Sequence, residues 1–267
     1  MTEVHPTAFV EDGAELDDGV SIGPFSVVGS GSRIGRGSRL ESHVVVTGRT
    51  TLGEGCRVFP FACLGHRPQD LKYRGEETTL DIGSNNQIRE HVTMHPGTAH
   101  GGGTTRVGDN GLFMAGVHVA HDCQIGNGVI MANNATLAGH VELADFAFLG
   151  GLSAVHQFVR IGTQAMIGGL AGVENDVIPY GMVLGNRAYL NGLNIIGMKR
   201  RGLDRDEIQD LRNAYRQVFS SEGTFADRLS MVGEQFPNQP RVIEMIDFIR
   251  DSDNRSICLP RASRDNS

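Results

Sequence analysis

Residues 16–40 read LDDGVSIGPFSVVGSGSRIGRGSRL, with Leu16, Ile22, Val28, Ile34 and Leu40 spaced six apart. The frame extends back to Val10 and forward through Val46, Leu52, Val58 and Leu64, and Ile82, Ile88 and Met94 resume it in phase. A new phase then runs through Val107, Phe113, Val119, Ile125, Met131, Leu137, Leu143, Leu149, Val155, Ile161, Ile167 and Val173. An unbroken hexapeptide period predicts an all-β parallel β-helix. Each hexad makes one short strand and a turn, and three hexads close a triangular coil of about 18 residues. The sixth-residue aliphatics then stack inside the prism. The glycines that follow many of them are expected at the tight corners, where φ can be positive. Roughly two dozen hexads give about eight coils.

Composition agrees. Trp is absent and aromatics make up only 6%, as suits a core of Val, Ile, Leu and Ala ladders. Cys56, Cys63, Cys123 and Cys258 show no metal-ligand spacing, which points to reduced thiols in a cytosolic protein. The opening MTEVHPTAFV has neither a basic nor an apolar signal region, so a cytoplasmic location is expected. No apolar run approaches membrane-spanning length, and a net charge of −7 argues against nucleic acid as a partner.

The β-helix is expected over residues 1–190, with loop excursions near 65–81 and 95–106, and a C-terminal helical domain with a polar tail over 191–267. Residues 65–76, GHRPQDLKYRGE, stand where two hexads are due. Residues 96–104, PGTAHGGGT, are Gly-rich and expected to be mobile, as readily a corner insertion as a site loop. Residues 186–201 read as an irregular connector ending in the basic cluster Lys199, Arg200 and Arg201. Beyond it, Ile208, Leu211, Tyr215, Val218 and Phe219 recur at helical spacing, with Asp204 and Glu207 placed as a capping box. Further helices are expected from Thr224 and after Pro240, where they would cover an open prism end, and the tail from Asp251 is expected to fray.

Chemistry is expected where histidines gather. His118, His121, His140 and His156 fall in one stretch. With about 18 residues per coil, His121 lies under Gly139 and Gln157, while Asp122 lies under His140 and Phe158. A neutral imidazole near a carboxylate can take a proton from a hydroxyl, and a glycine N–H one coil away can hold an oxyanion, which outlines an acyl-transfer site. Two other readings stand beside it: a zinc site of the γ-carbonic-anhydrase kind, with histidines meeting across a subunit interface, and a purely structural rod.

The strings QDLKY (69–73), HVAHDC (118–123), NNATLAGH (133–140), AVHQF (154–158), GLN (192–194) and KRRG (199–202) resemble the UDP-N-acetylglucosamine O-acyltransferases (LpxA) of lipid A synthesis. The resemblance implies a homotrimer of left-handed β-helices with sites in the clefts between neighbours. It implies metal-free, cofactor-free transfer of a 3-hydroxyacyl group from acyl carrier protein to the glucosamine 3-hydroxyl of the UDP-sugar. By position His121 would be the general base, Asp122 its assistant and the Gly139 N–H the oxyanion donor. Gln69, Asp70, Lys72, His118, His140, His156 and Gln157 would line the sugar pocket, and Asn194, Arg200 and Arg201 would meet the uridine and diphosphate. Met166 and Gly169 would line the acyl groove, Gly169 at its end and leaving it deep.

Some relatives carry Glu where Ile196 stands, and some acylate a 3-amino sugar to give an amide. The N-acyltransferase two steps later carries a uridine-binding domain ahead of its repeats, whereas here the hexads begin at Val10. From β alternation, His121 and Asp122 are expected on opposite faces, which leaves open what orients His121.

Overall fold

In the computed structural model, which describes residues 1–252 and 255–261, the chain forms a three-faced prism with helices at its C-terminal end. The first face has eleven strands, the second nine and the third eight, and successive hexads pass from face to face in turn. This is the left-handed parallel β-helix with a small α-helical domain. Most strands are two residues long, with the second residue buried, as at Arg33–Ile34 and His118–Val119. A flat two-residue strand offers one inward side chain, and these residues, from Ile22 and Val28 to Ile167 and Val173, form the core together with smaller apolar residues buried two positions earlier, such as Val44, Val129 and Ala147.

Pairing is parallel and advances by one coil, as Val27 to Val45 and His118 to Thr136. Where Arg57 pairs with Gln87 and Thr93 with His118, the longer steps contain the two excursions. The first excursion therefore replaces no hexad: its extra length is two hexads inside one coil, which is why the phase survives it. Both excursions leave at the edge between the second and third faces, after Cys63–Leu64 and Thr93–Met94 and before Thr79–Ile82 and Thr104–Val107.

The corners correct the expectation about glycine. The left-handed residue is the third after the buried aliphatic, and it is often not glycine: Phe25, His43, Asn85, Asp122, His140 and Phe158 all have φ between 58° and 66°. Gly35 and Gly53, which directly follow the aliphatic, are not in that region. A Cβ on Gly53 would stand 2.5 Å from the Gly83 carbonyl carbon of the next coil. Close approach of stacked coils, not backbone handedness, selects glycine there.

Residues 186–201 are more regular than expected. Gly181–Leu184 and Tyr189–Leu193 form an antiparallel hairpin that closes the first face. A short helix follows, α1 (Ile195–Arg200), capped by the Asn194 side chain accepting from Gly197 N–H. Helix α2 (Arg205–Val218) has its full capping box at Asp204 and Glu207, and α3 (Phe225–Gln235) is capped by Thr224. Helix α4 (Pro240–Arg250) begins with Pro at a position whose N–H needs no partner.

The helical unit is pinned to the prism by buried charge. Asp176, fully buried, accepts from Arg160 Nε at 2.8 Å and Arg255 Nε at 3.3 Å. The Arg160 guanidinium also donates to the Phe248 carbonyl of α4 and lies 4.5 Å over its ring. Tyr180 Oη donates to Glu244 of the same helix. The tail does not fray throughout: Asp176 bridges to Ile257 and Leu190 to Pro260, because the buried carboxylate draws Arg255 and its neighbours back onto the prism. Residues 253, 254 and 262–267 of the expected tail lie outside the described residues.

Candidate active site

The edge between the second and third faces gathers the histidines. His121 precedes the corner residue Asp122, and His140 and Phe158 repeat the corner position one and two coils on, with rings stacked at 4.4 Å. The expected opposition of His121 and Asp122 does not occur. Left-handed backbone at Asp122 (φ 62°) breaks the strand alternation and turns the carboxylate back beside the preceding imidazole. His121 Nδ1 lies 2.8 Å from Asp122 Oδ2, and His140 Nε2 is 3.7 Å from the same oxygen. Asp122 is thus the group that orients His121.

With Nδ1 engaged by the carboxylate, Nε2 is the nitrogen left to take a proton. The imidazole edge rests against Gly139: a Cβ there would be 2.5 Å from Cε1 and 2.7 Å from Nε2 of His121. The Gly139 N–H meets no acceptor among the described residues, although Gly139 is buried and the next N–H, of His140, donates to the His121 carbonyl. An unpaired N–H beside a basic nitrogen is the arrangement that holds a developing oxyanion.

The Asp122 carboxylate, with no exposed side-chain surface, is held by the Gly-rich loop. Thr98 donates its backbone N–H to Oδ1 at 2.8 Å and its hydroxyl to Oδ2 at 2.7 Å. The loop expected to be mobile is instead packed on the charge. Thr98 is itself buried, and the Asp122 N–H donates to Thr105 Oγ1. Neither threonine was legible from spacing, because the contact depends on the path of the insertion.

Burial lowers the pKa of three further histidines here, His118, His95 and His140. His118, on its strand, pairs through Nδ1 with Thr93 Oγ1 at 2.7 Å, and burial, then the nearby His121, lowers its pKa. His95, absent from the sequence reading, lies edge-on to His118 at 5.1 Å, and burial, with His118, His66 and His121 adding, pushes it down to about 4. Its Nδ1 is buried without a partner among the described residues. For His140, burial lowers the pKa against the opposing pull of Asp122.

The first excursion carries Asp70 to this cluster. The Lys72 N–H donates to Asp70 Oδ1 at 3.0 Å and is the main reason its carboxyl pKa is lowered. Next among the lowering influences comes the nearby His121. Gln69 and Lys72 are exposed on the same loop, and His156 and Gln157 are exposed one coil beyond Gly139. These residues share one edge with His121.

The remaining expected residues do not join them within the chain. Asn194 caps α1 and donates to the Gln164 carbonyl, and the Arg201 guanidinium lies 3.7 Å over the Phe146 ring. Both stand at the edge between the third and first faces, with Arg200 exposed beside them. Exposed Gly169 marks the edge between the first and second faces, and half-buried Met166 lies on the first face. His121, Asp122 and His140 bring three ligand atoms within 4.8 Å, a set that could also hold a metal ion. As found, the carboxylate at its centre is already paired with His121 and Thr98.

The family model for UDP-N-acetylglucosamine O-acyltransferase domain 2 matches residues 176–258, and the bacterial transferase hexapeptide model matches 13–48 and 104–139. The acyl-[acyl-carrier-protein]–UDP-N-acetylglucosamine O-acyltransferase of Rhizobium johnstonii is 49% identical, covering 96% of this chain and 94% of that protein. The chain belongs to the UDP-N-acetylglucosamine O-acyltransferase family. Its Caulobacter vibrioides relative of the same name is 55% identical over 96% of this chain and 98% of that protein. The crystal structure of UDP-N-acetylglucosamine O-acyltransferase (LpxA) from Moraxella catarrhalis superposes with a TM-score of 0.92 at 41% identity, covering 95% of this chain and 98% of that one. Family membership thus rests on prism and helices together.

Proposed function

We propose that this protein transfers a 3-hydroxyacyl group from acyl carrier protein to the 3-hydroxyl of UDP-N-acetylglucosamine, with His121 as general base. The observation that carries the reading is the 2.8 Å bond between His121 Nδ1 and Asp122 Oδ2, which leaves Nε2 free beside the unpaired Gly139 N–H. His121 Nε2 takes the proton of the sugar hydroxyl as its oxygen attacks the thioester carbonyl carbon. The Gly139 N–H receives the oxyanion. Collapse breaks the carbon–sulfur bond, and the imidazolium returns its proton to the departing thiolate, giving an ester and the free carrier thiol. Asp122 keeps its contact with Nδ1 and steadies the transient imidazolium.

Asp70 and Lys72 on the excursion, with Gln69, His118, His140, His156 and Gln157, are assigned to the sugar. Asn194, Arg200 and Arg201 are assigned to the nucleotide, the arginines suiting diphosphate oxygens. These two groups occupy different edges of one prism. Their separation supports a homotrimer in which one chain supplies the histidine edge and its neighbour the nucleotide edge, with Met166 and Gly169 along the acyl groove. No helix among the described residues is long and apolar enough to cross a membrane, which accords with a cytoplasmic enzyme acting on carrier-bound acyl chains.

The test is a mass-spectrometric transfer assay with 3-hydroxyacyl carrier proteins of several lengths and UDP-N-acetylglucosamine or its 3-amino analogue. Ester product is expected, with turnover lowered by about 10²-fold or more in His121→Ala. Near-normal turnover in that variant would remove His121 as the base. Activity lost on chelation and restored by zinc would favour the metal reading.

A further inference from the structure

The Asp122 carboxylate is walled in by the Gly-rich loop. Its Oδ1 takes the Thr98 N–H at 2.8 Å, and its Oδ2 takes both the Thr98 hydroxyl at 2.7 Å and His121 Nδ1 at 2.8 Å. Gly97 and Gly101 close the remaining sides: a Cβ on Gly97 would be 2.8 Å from Oδ1, and one on Gly101 would be 2.1 Å from Cγ. The carboxylate therefore exposes no surface, and Thr98 is only 3% exposed. A valine would fill the same volume as Thr98, so packing alone does not ask for a hydroxyl. The hydroxyl is aimed at the one oxygen that also orients the imidazole.

We infer that Thr98 is a positioning residue for proton transfer, holding the Asp122 carboxylate in place so that His121 keeps its proton on Nδ1 and offers Nε2 as the base. This rests on the activity proposed above. A dry carboxylate with a single partner draws the imidazole's proton strongly toward itself. Two donors from Thr98 spread the charge, and by sharing Oδ2 the hydroxyl moderates the pull on His121. Removing it makes Oδ2 a stronger acceptor, which stabilises the imidazolium. A smaller fraction of His121 is then the free base at a given pH.

The experiment is kinetics of Thr98→Val, Thr98→Ser and wild type as functions of pH, repeated in the Asp122→Asn background. Charged and titratable groups facing the pair are His140, 3.7 Å from Oδ2, Asp70 from the excursion, His118, His95 and the buried Cys123 thiol. All of them are retained in every Thr98 variant, so a profile difference belongs to Thr98. Thr98→Val is expected to lower kcat about tenfold, the scale of one hydrogen bond to a charged group. It should leave KM for the sugar nucleotide little changed and move the acid limb of kcat/KM to higher pH. Thr98→Ser, which keeps the donor, is expected to restore both. In Asp122→Asn, where there is no carboxylate to hold, Thr98→Val should change kcat by less than about twofold.

A wild-type rate and superimposed pH profile in Thr98→Val would overturn the inference. So would an equal fold-loss with and without the Asp122 carboxylate, since that would mark a loop anchor only. If Thr98→Val does not melt cooperatively, Thr98→Ala, which cannot overpack, is read by the same criteria. Wild-type protein with no transferase activity would refute the parent reading instead, so the two failures are distinct.

Discussion

Replacing Gly139 with Ala tests the candidate site through geometry alone. The added methyl would stand 2.5 Å from Cε1 and 2.7 Å from Nε2 of His121. Ordinary carbon contacts lie near 3.5–4.0 Å, so the ring must move by about 1 Å. Gly139 is not in the left-handed region, so the substitution adds no backbone strain and keeps its N–H. Resistance comes from the 2.8 Å bond to Asp122, which anchors the other side of the imidazole. Misplacement of a catalytic group by about 1 Å can cost roughly 10²-fold, while overpacking one methyl costs about 1–3 kcal/mol of stability, a few degrees of melting temperature. The expected result is a folded protein with kcat reduced about 10²-fold and a small change in KM. The assay is steady-state transfer from a defined 3-hydroxyacyl carrier protein, beside thermal melting of the same samples. Turnover within about threefold of wild type, with unchanged melting, would show that the Gly139–His121 contact does not set the reacting geometry.

Three further outcomes follow from other parts of the molecule. Gly169→Met is expected to shift donor preference toward shorter acyl chains, since a Cβ there meets only Gly151 backbone, its oxygen at 3.3 Å, and the rest of the side chain is free to extend; an unchanged chain-length profile would dismiss the groove assignment. Asp176→Asn leaves Arg160 and Arg255 without their buried counter-charge and should destabilise the junction of prism and helices by about 3–5 kcal/mol, read as a lower melting temperature; a change under about 2 °C would show that the clamp contributes little.

The remaining outcome concerns acid stability. His95 titrates near 4 in the fold against about 6.5 unfolded, so between those values the unfolded chain binds the extra proton. Its contribution is complete above pH 6.5 and is lost as pH falls toward 4. His95→Gln should flatten the decline of the denaturation midpoint across that window. Equal slopes for the two proteins would refute the assignment.

The hexad period determined the fold because a two-residue strand presents one inward side chain, and that requirement repeats locally every six residues. Coil length follows from the same rule, which is why His121, Gly139 and His140 could be placed on one edge from spacing. Helices α2 to α4 were legible from caps and 3.6-residue periodicity, which are likewise local. The hairpin at Gly181–Leu184 and Tyr189–Leu193 and the short α1 were not, being too short to show a period. Only the tertiary structure decided how His121 is oriented: the left-handed corner at Asp122 reverses the alternation expected of neighbours, and Thr98 reaches that carboxylate from a loop 24 residues away in sequence. The burial that keeps His95 neutral, and the recruitment of Arg255 by Asp176, were equally invisible. The physical reason is common to all of these. A repeat encodes what each segment does with its own side chains, whereas an insertion carries no period, and the place where its polar groups land is set by the stacked coils around it.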